Sequence, residues 1–303
     1  MASSHRSMPT LQGAVPNDWP MRAHSDFVRA STLTWHVQSV GDGPTVLMLH
    51  GAGASTHTWR GMADLLKSHF RVVMLDLPGH GLTECYKTGD YSLPRTAKDV
   101  SALMVAYDVS PDAIIGHSAG AAIACKMAID SQRPIPIFGI NAALLPFDGL
   151  AGIAFPAFAK FAAQTSLVHA LLTRRARDRS QLRRVIEGTG SRINEQMLDD
   201  YLRLMQRPDH VRSVLRMMAG WDLSSLLGDV ADAKVLLHLW MSSSDRAVSA
   251  GATRAATNPY DTITVDIMSG LGHLAHENSP ATFAASLLEH RWIKDILSGE
   301  KRW

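Results

Sequence analysis

Gly116-His117-Ser118-Ala119-Gly120 constrains this chain more than any other segment, because it separates two patterns of different period. Before it runs the apolar stretch Asp112-Ala113-Ile114-Ile115, and after it a run of small and apolar residues from Ala121 to Ile129 with helical spacing. A serine between two glycines, at the junction of a strand and a helix, has the pattern of a tight turn that projects its hydroxyl from a strained backbone. The glycines leave room for that turn. A bare G-x-S-x-G match is short enough to arise by chance, so its flanks carry the weight of a nucleophile elbow centred on Ser118.

Further parts of an acyl-transfer site follow in order. The apolar strand Val46-Leu47-Met48-Leu49 ends in His50-Gly51-Ala52-Gly53-Ala54-Ser55, a glycine-rich turn able to offer a backbone N–H to a developing oxyanion. The two donors are assigned to the amides of Ala52 and Ala119, the latter being the residue after the nucleophile. The strand pattern Val235 to Trp240 leads into Met241-Ser242-Ser243-Ser244-Asp245-Arg246, which makes Asp245 the candidate acid. A last strand, Thr262 to Met268, precedes Ser269-Gly270-Leu271-Gly272-His273, and His273 is the candidate base. The order Ser, Asp, His is that of the α/β-hydrolases and differs from the orders of the other major serine-hydrolase lineages.

With 14 histidines in the chain, most must serve other ends. His117 is assigned to packing or a hydrogen bond in the elbow, His50 to pinning the oxyanion turn, and His276 to the cap or surface of the helix announced by Asn278-Ser279-Pro280. Asp266 lies within a strand pattern and is a weaker rival for the acid. Asp76 comes too early and belongs to the turn Asp76-Leu77-Pro78-Gly79-His80-Gly81.

Short apolar strands alternating with helical patterns predict an α/β fold with a mostly parallel, doubly wound sheet and catalytic residues at the strands' carboxyl ends. Thr32 to Gln38 alternates like an edge strand. From Leu144 to about Leu223 the strands stop, which predicts a helical lid (144–223) inserted into a core formed by 1–143 and 224–303. The lid is rich in large apolar residues. Most would form its own core, and Phe147, Phe155, Phe158 and Trp221 are candidates for lining a substrate pocket. Arg174, Arg175 and Arg177 head a cluster continued by Arg179, Arg183 and Arg184. It reads either as a solvated helix face or as a patch for substrate carboxylates, an acidic partner or an anionic membrane surface.

Composition sets outer bounds. A 303-residue chain with 46% hydrophobic residues can bury a large core without a cofactor, metal or disulfide. Its two cysteines, Cys85 and Cys125, have no metal-ligand spacing and read as packing residues in a reducing compartment. A net charge of +2 gives no general attraction to nucleic acid, and no apolar stretch reaches membrane-spanning length. A cytoplasmic protein with at most peripheral membrane contact is expected.

Several segments taken together resemble a known family. They are Trp19-Pro20 with Phe27-Val28, Trp35 to Gln38, His50 to Arg60, Asp76 to Gly81, Gly116 to Ala122, Asn141-Ala142-Ala143-Leu144-Leu145-Pro146-Phe147, Gly188-Thr189-Gly190-Ser191 and Gly270 to Glu277. They resemble the magnesium-chelatase accessory proteins of bacteriochlorophyll biosynthesis, the BchO family, which has the α/β-hydrolase fold. The elbow and the Asp76 turn recur across the fold; His50 to Arg60 and Asn141 to Phe147 are more particular. Ser242-Ser243-Ser244 stands where many relatives of the fold carry glycine before the acid.

The resemblance implies a cytoplasmic protein of photosynthetic bacteria, acting near magnesium insertion into protoporphyrin IX, with magnesium chelatase as a partner. Two functions follow. One is a serine hydrolase in which Ser118 attacks an ester or a tetrapyrrole-related acyl compound. The other is a non-catalytic porphyrin-binding or chelatase-assisting protein with an inherited triad. Halide and epoxide chemistry is disfavoured, because those enzymes use a carboxylate nucleophile and position 118 is serine.

Overall fold

The computed structural model describes residues 15–87, 89–131, 133–146 and 178–300. Its centre is one eight-stranded sheet, built from β1 (Ser25–Ala30), β2 (Leu33–Val40), β3 (Thr45–Leu49), β4 (Arg71–Leu75), β5 (Ala113–His117), β6 (Ile137–Ile140), β7 (Leu237–Ser242) and β8 (Ile263–Met268). The spatial order is β1-β2-β4-β3-β5-β6-β7-β8. β1, β2 and β4 pair antiparallel, and every pairing from β4 through β8 is parallel.

The parallel strands read as near-continuous apolar runs because both faces are covered. Along β3, Leu47 and Leu49 point into one buried cluster while Val46 and Met48 point into the other. The first face packs against α2 (Leu93–Ala106) and α3 (Ala119–Ser131), and the second against α1 (Arg60–Leu66), α10 (Pro280–Glu289) and α11 (Arg291–Ser298). Between β6 and β7 the described residues form α4 (Arg179–Gly188), α5 (Glu195–Met205), α6 (Pro208–Gly220) and α7 (Leu226–Asp232). The first two start on side-chain caps, Asp178 accepting from Gln181 N and Asn194 from Met197 N, and α6 starts on proline. A third apolar cluster joins α4 and α5 to Trp19, Phe27, Ala54 and Leu274 of the sheet side. α8 (Ala250–Thr257) follows β7, and the short α9 (Ala275–Asn278) follows β8.

Two expectations are corrected. β2 is an interior strand, because β1, which the sequence pattern did not announce, pairs with its outer side. This puts Trp35 and Val37 on one face and His36 and Gln38 on the other, all fully buried. His276 is also buried, at 1% exposure, and is no surface cap. Among the described residues no helix is long and apolar enough to cross a membrane.

Candidate active site

The chain switches direction across the sheet between β3 and β5, the crevice where open α/β sheets bind ligands. β5 ends at His117 and α3 begins at Ala119, so Ser118 alone makes the turn, with φ of 50°. A left-handed serine costs about 1–3 kcal/mol and needs surroundings that hold it. They are present. Ser118 N donates to Ile140 O at 3.0 Å, and Ser118 O accepts from Ala121 N at 3.1 Å and Ala143 N at 3.2 Å. The elbow glycines are steric requirements: a Cβ on Gly120 would lie 2.0 Å from Leu49 O, and one on Gly116 2.4 Å from the Ala121 backbone.

The acid and base come from neighbouring strand ends. Asp245 follows β7 and His273 follows β8, and His273 Nδ1 donates to Asp245 Oδ2 at 2.8 Å. The Asp245 side chain has no exposure, and its other oxygen accepts from Ala247 N at 2.7 Å and Val248 N at 3.0 Å. These bonds fix the carboxylate, which fixes the imidazole tautomer with Nε2 free to take a proton. Asp266, the rival acid, sits on edge strand β8, 66% exposed and paired with His238 at 3.3 Å.

Ser118 Oγ makes no hydrogen bond with a described residue. The two loops are instead tied through His117. Its Nε2 donates to the His273 carbonyl at 3.0 Å, and its ring lies 4.7 Å from the His273 ring. Burial, then the neighbouring His276 and His273, hold the His117 pKa well below the ordinary value, so it serves as a neutral brace.

Ala52 and Ala119 line a cavity of about 280 Å³ with Ser118, Ala143, Pro146, Met217, Met218, Trp221, Asp222 and Leu223. Neither the Ala52 nor the Ala119 backbone N–H has an acceptor among the described residues. Two free donors beside a serine suit a developing oxyanion. The Ala52 turn is held from behind: His50 Nδ1 donates to Gly51 O at 2.8 Å and its Nε2 accepts from Leu77 N at 3.0 Å. Asp76 accepts from Thr56 N at 2.7 Å, Leu82 N at 2.8 Å and His36 Nδ1 at 2.7 Å. Burial raises the Asp76 pKa, but the charge and hydrogen bond of His36 outweigh it and bring it to about 2. His36 Nε2 in turn meets Ser25 Oγ at 2.9 Å, a buried Ser-His-Asp chain that solvent cannot reach.

Of the proposed substrate contacts, Trp221 lies in the wall of the Ser118 cavity, its indole N–H donating to Tyr91 O at 2.8 Å. Phe147, Phe155, Phe158, Arg174, Arg175 and Arg177 lie outside the described residues. Arg179 and Arg183, which continue the arginine run, are engaged by α5: Arg179 pairs with Glu195 and Asp199, and Arg183 with Glu195 at 2.5 Å. Among the described residues no group of three or more His, Cys, Asp or Glu is placed to hold a metal ion. Burial pushes the Cys125 thiol up to about 12, which suits packing.

Several supporting residues escaped the sequence analysis. Asn141, at φ 47°, donates to Gly272 O at 3.0 Å and His273 O at 2.8 Å and accepts from Ser242 N at 2.7 Å, clamping the base loop to the end of β7. The turn after α4 wedges between the acid and base loops: Thr189 O accepts from Arg246 N at 3.1 Å, and Ser191 Oγ from Leu274 N at 2.8 Å. A third group lies behind His273. Thr58 donates to Glu277 at 2.6 Å and accepts from His276 Nε2 at 2.7 Å, while Tyr201 of α5 donates to the same Glu277 oxygen at 2.6 Å. The signal for Asn141, Thr189, Ser191 and Glu277 was their place in the Asn141, Gly188 and Gly270 segments, and for Thr58 its place in the His50 segment, which carried the resemblance without roles; Tyr201 lies in none of them.

An eight-stranded, mostly parallel sheet with a strained serine after β5 and an Asp–His pair after β7 and β8 defines the class. The chain belongs to the alpha/beta hydrolase family, whose model matches residues 46–286. Within that family it is similar to the magnesium-chelatase 30 kDa subunit of Rhodobacter capsulatus, at 37% identity over 93% of this chain and 98% of that one. Among solved structures it resembles the epoxide hydrolase CorEH, with a TM-score of 0.75 and 20% identity over 88% of this chain and 97% of that one. A thermophilic esterase from Thermogutta terrifontis matches with a TM-score of 0.69 and 15% identity, over 90% and 98% of the two chains. At these identities the solved structures speak for the fold alone.

Proposed function

We propose that the protein is a serine hydrolase acting on a carboxylic ester or related acyl bond. Ser118 Oγ attacks the acyl carbon as its proton passes to His273 Nε2. Asp245 holds the imidazole and steadies its charge, and the Ala52 and Ala119 amides receive the oxyanion. His273 then returns the proton to the leaving alcohol, and water, activated by the same histidine, releases the acid. The observation that carries this reading is the enclosed Asp245 carboxylate on His273 Nδ1, in the loop that His117 ties to the strained serine. The 280 Å³ apolar cavity suits a small acyl group or one arm of a larger substrate. Residues 144–223 act as the lid over that cavity, and Trp221 with Met217 and Met218 contacts the acyl chain.

A second reading rests on the similarity to the chelatase subunit. Here the protein assists magnesium chelatase in the cytoplasm and holds a tetrapyrrole-related compound, with Phe147, Phe155, Phe158 and the Arg174, Arg175 and Arg177 charges as contacts. The two readings separate on one substitution. Ser118→Ala should lower kcat/KM on p-nitrophenyl butyrate by about 10⁴-fold or more at unchanged fold, since triad members act as a unit. Turnover equal to that of the unaltered protein would remove Ser118 as the nucleophile and leave the assisting role.

A further inference from the structure

Beside the Ser118 cavity lies a second one, of about 260 Å³, which has drawn no role so far. The two adjoin, both being lined by Ala143, Pro146 and Leu223. The floor of the second is apolar, with Leu145, Val248 and Ala252, and its one basic residue is Arg246, next in sequence to Asp245. The Arg246 backbone is anchored, its N–H donating to Thr189 O at 3.1 Å. Its guanidinium makes no ion pair or hydrogen bond with any described residue. The neighbouring Asp245 carboxylate does not engage it, because both its oxygens are taken by His273, Ala247 and Val248.

Each chamber is lined by one acidic residue, Asp222 in the first and Asp245 in the second, and only the second is lined by a cation, Arg246. The Ser118 cavity carries the Asp222 carboxylate, held ionised by hydrogen bonds from Ser224 that lower its pKa. The second chamber offers a planar cation with unused donors above an apolar floor, the arrangement that recognises a carboxylate at the end of a short hydrocarbon arm.

We propose that this second chamber is a substrate subsite for a carboxylate-bearing arm, with Arg246 as its anion contact, so that the enzyme acts on half-esters of dicarboxylic or polycarboxylic acids. This rests on the hydrolase reading and names its substrate class. The arm passes Ala143, Pro146 and Leu223, where the two chambers adjoin, and lies along Leu145 and Val248 with its carboxylate at Arg246, while the ester carbon sits at Ser118.

The test compares p-nitrophenyl butyrate with the mono-p-nitrophenyl ester of glutaric acid, which adds a terminal carboxylate to nearly the same acyl chain. Arg246→Gln should lower the ratio of kcat/KM for the charged over the neutral ester tenfold or more, and Arg246→Lys should restore part of it. Raising the salt concentration should lower the ratio in the unaltered protein but not in Arg246→Gln. A ratio within twofold of the original in Arg246→Gln would overturn the subsite. If neither ester is turned over, the hydrolase reading fails by itself, and the subsite is read by calorimetric titration of Ser118→Ala protein with both esters. Tighter binding of the charged ester, lost in the Ser118→Ala, Arg246→Gln double variant, would support it; equal affinity, or no binding of either, would overturn it.

Discussion

The side-chain amide of Asn141 donates to the carbonyl oxygen of His273 at 2.8 Å, so the residue that closes β6 holds the loop carrying the base. The same side chain accepts from Ser242 N, at the end of the strand that leads to the acid. One amide therefore sets the spacing of Asp245 and His273 without touching substrate.

Replacing Asn141 with Ala removes two buried hydrogen bonds and a part-buried one, and puts a less tolerant residue at a positive φ. With about 1–3 kcal/mol for each buried group left unsatisfied, a loss of several kcal/mol in stability is expected. In protein that remains folded, kcat should fall by about 10- to 100-fold with KM little changed, the mark of a displaced base. Asn141→Asp keeps the acceptor for Ser242 but loses the donors to His273. It should recover stability better than kcat, and equal recovery of the two would argue against a positioning role.

A methyl group at Gly272 should act through the same loop. Its Cβ would lie 2.1 Å from the Gly190 backbone, which sits in the turn between the acid and base loops. Backbone cannot yield as a side-chain tip can, so Gly272→Ala should push His273 out of line and reduce turnover more than tenfold. Circular dichroism and a urea titration would separate displacement from unfolding. A fully active Gly272→Ala protein would mean that the wedge is slack.

The pH dependence of stability should have two opposed parts. Burial holds His50 at about 4 and His57, His80 and His276 at about 3, against an ordinary 6.5. Their contribution is present above pH 6.5 and is lost as the pH falls towards 3. Glu277 runs the other way: burial lifts its pKa from 4.5 to about 7, against the lowering bonds from Thr58 and Tyr201. Its contribution is present below pH 4.5 and is lost as the pH rises through 7. Glu277→Gln should therefore gain stability relative to the unaltered protein between pH 5 and pH 8. Urea midpoints at those two values check the sign, and a relative loss would contradict it.

The parts of the site visible in the sequence are those fixed by local chemistry. The Ser118 turn needs its glycines because α3 packs onto β3, and the loops after β3, β7 and β8 stand out where an apolar run meets glycine and serine. Asn141, Thr189, Ser191 and Glu277 carry no local pattern, because what they hold lies on other strands and loops. His276 was misplaced for that reason: next to the helix-start signal Asn278-Ser279-Pro280 it looks like a cap, but Thr58, 218 residues away in sequence, takes its hydrogen bond. β1 was missed because its alternation shows only once β2 is there to pair with it.

The most direct measurement of the central claim is the rate at which a fluorophosphonate labels the purified protein, read by mass spectrometry of its peptides. A serine activated by His273 and Asp245 should give one adduct, on Ser118. The rate should fall by orders of magnitude in His273→Ala, and no adduct should form in Ser118→Ala. Absence of labelling in folded protein, or labelling of Ser118 that is indifferent to His273, would contradict the account.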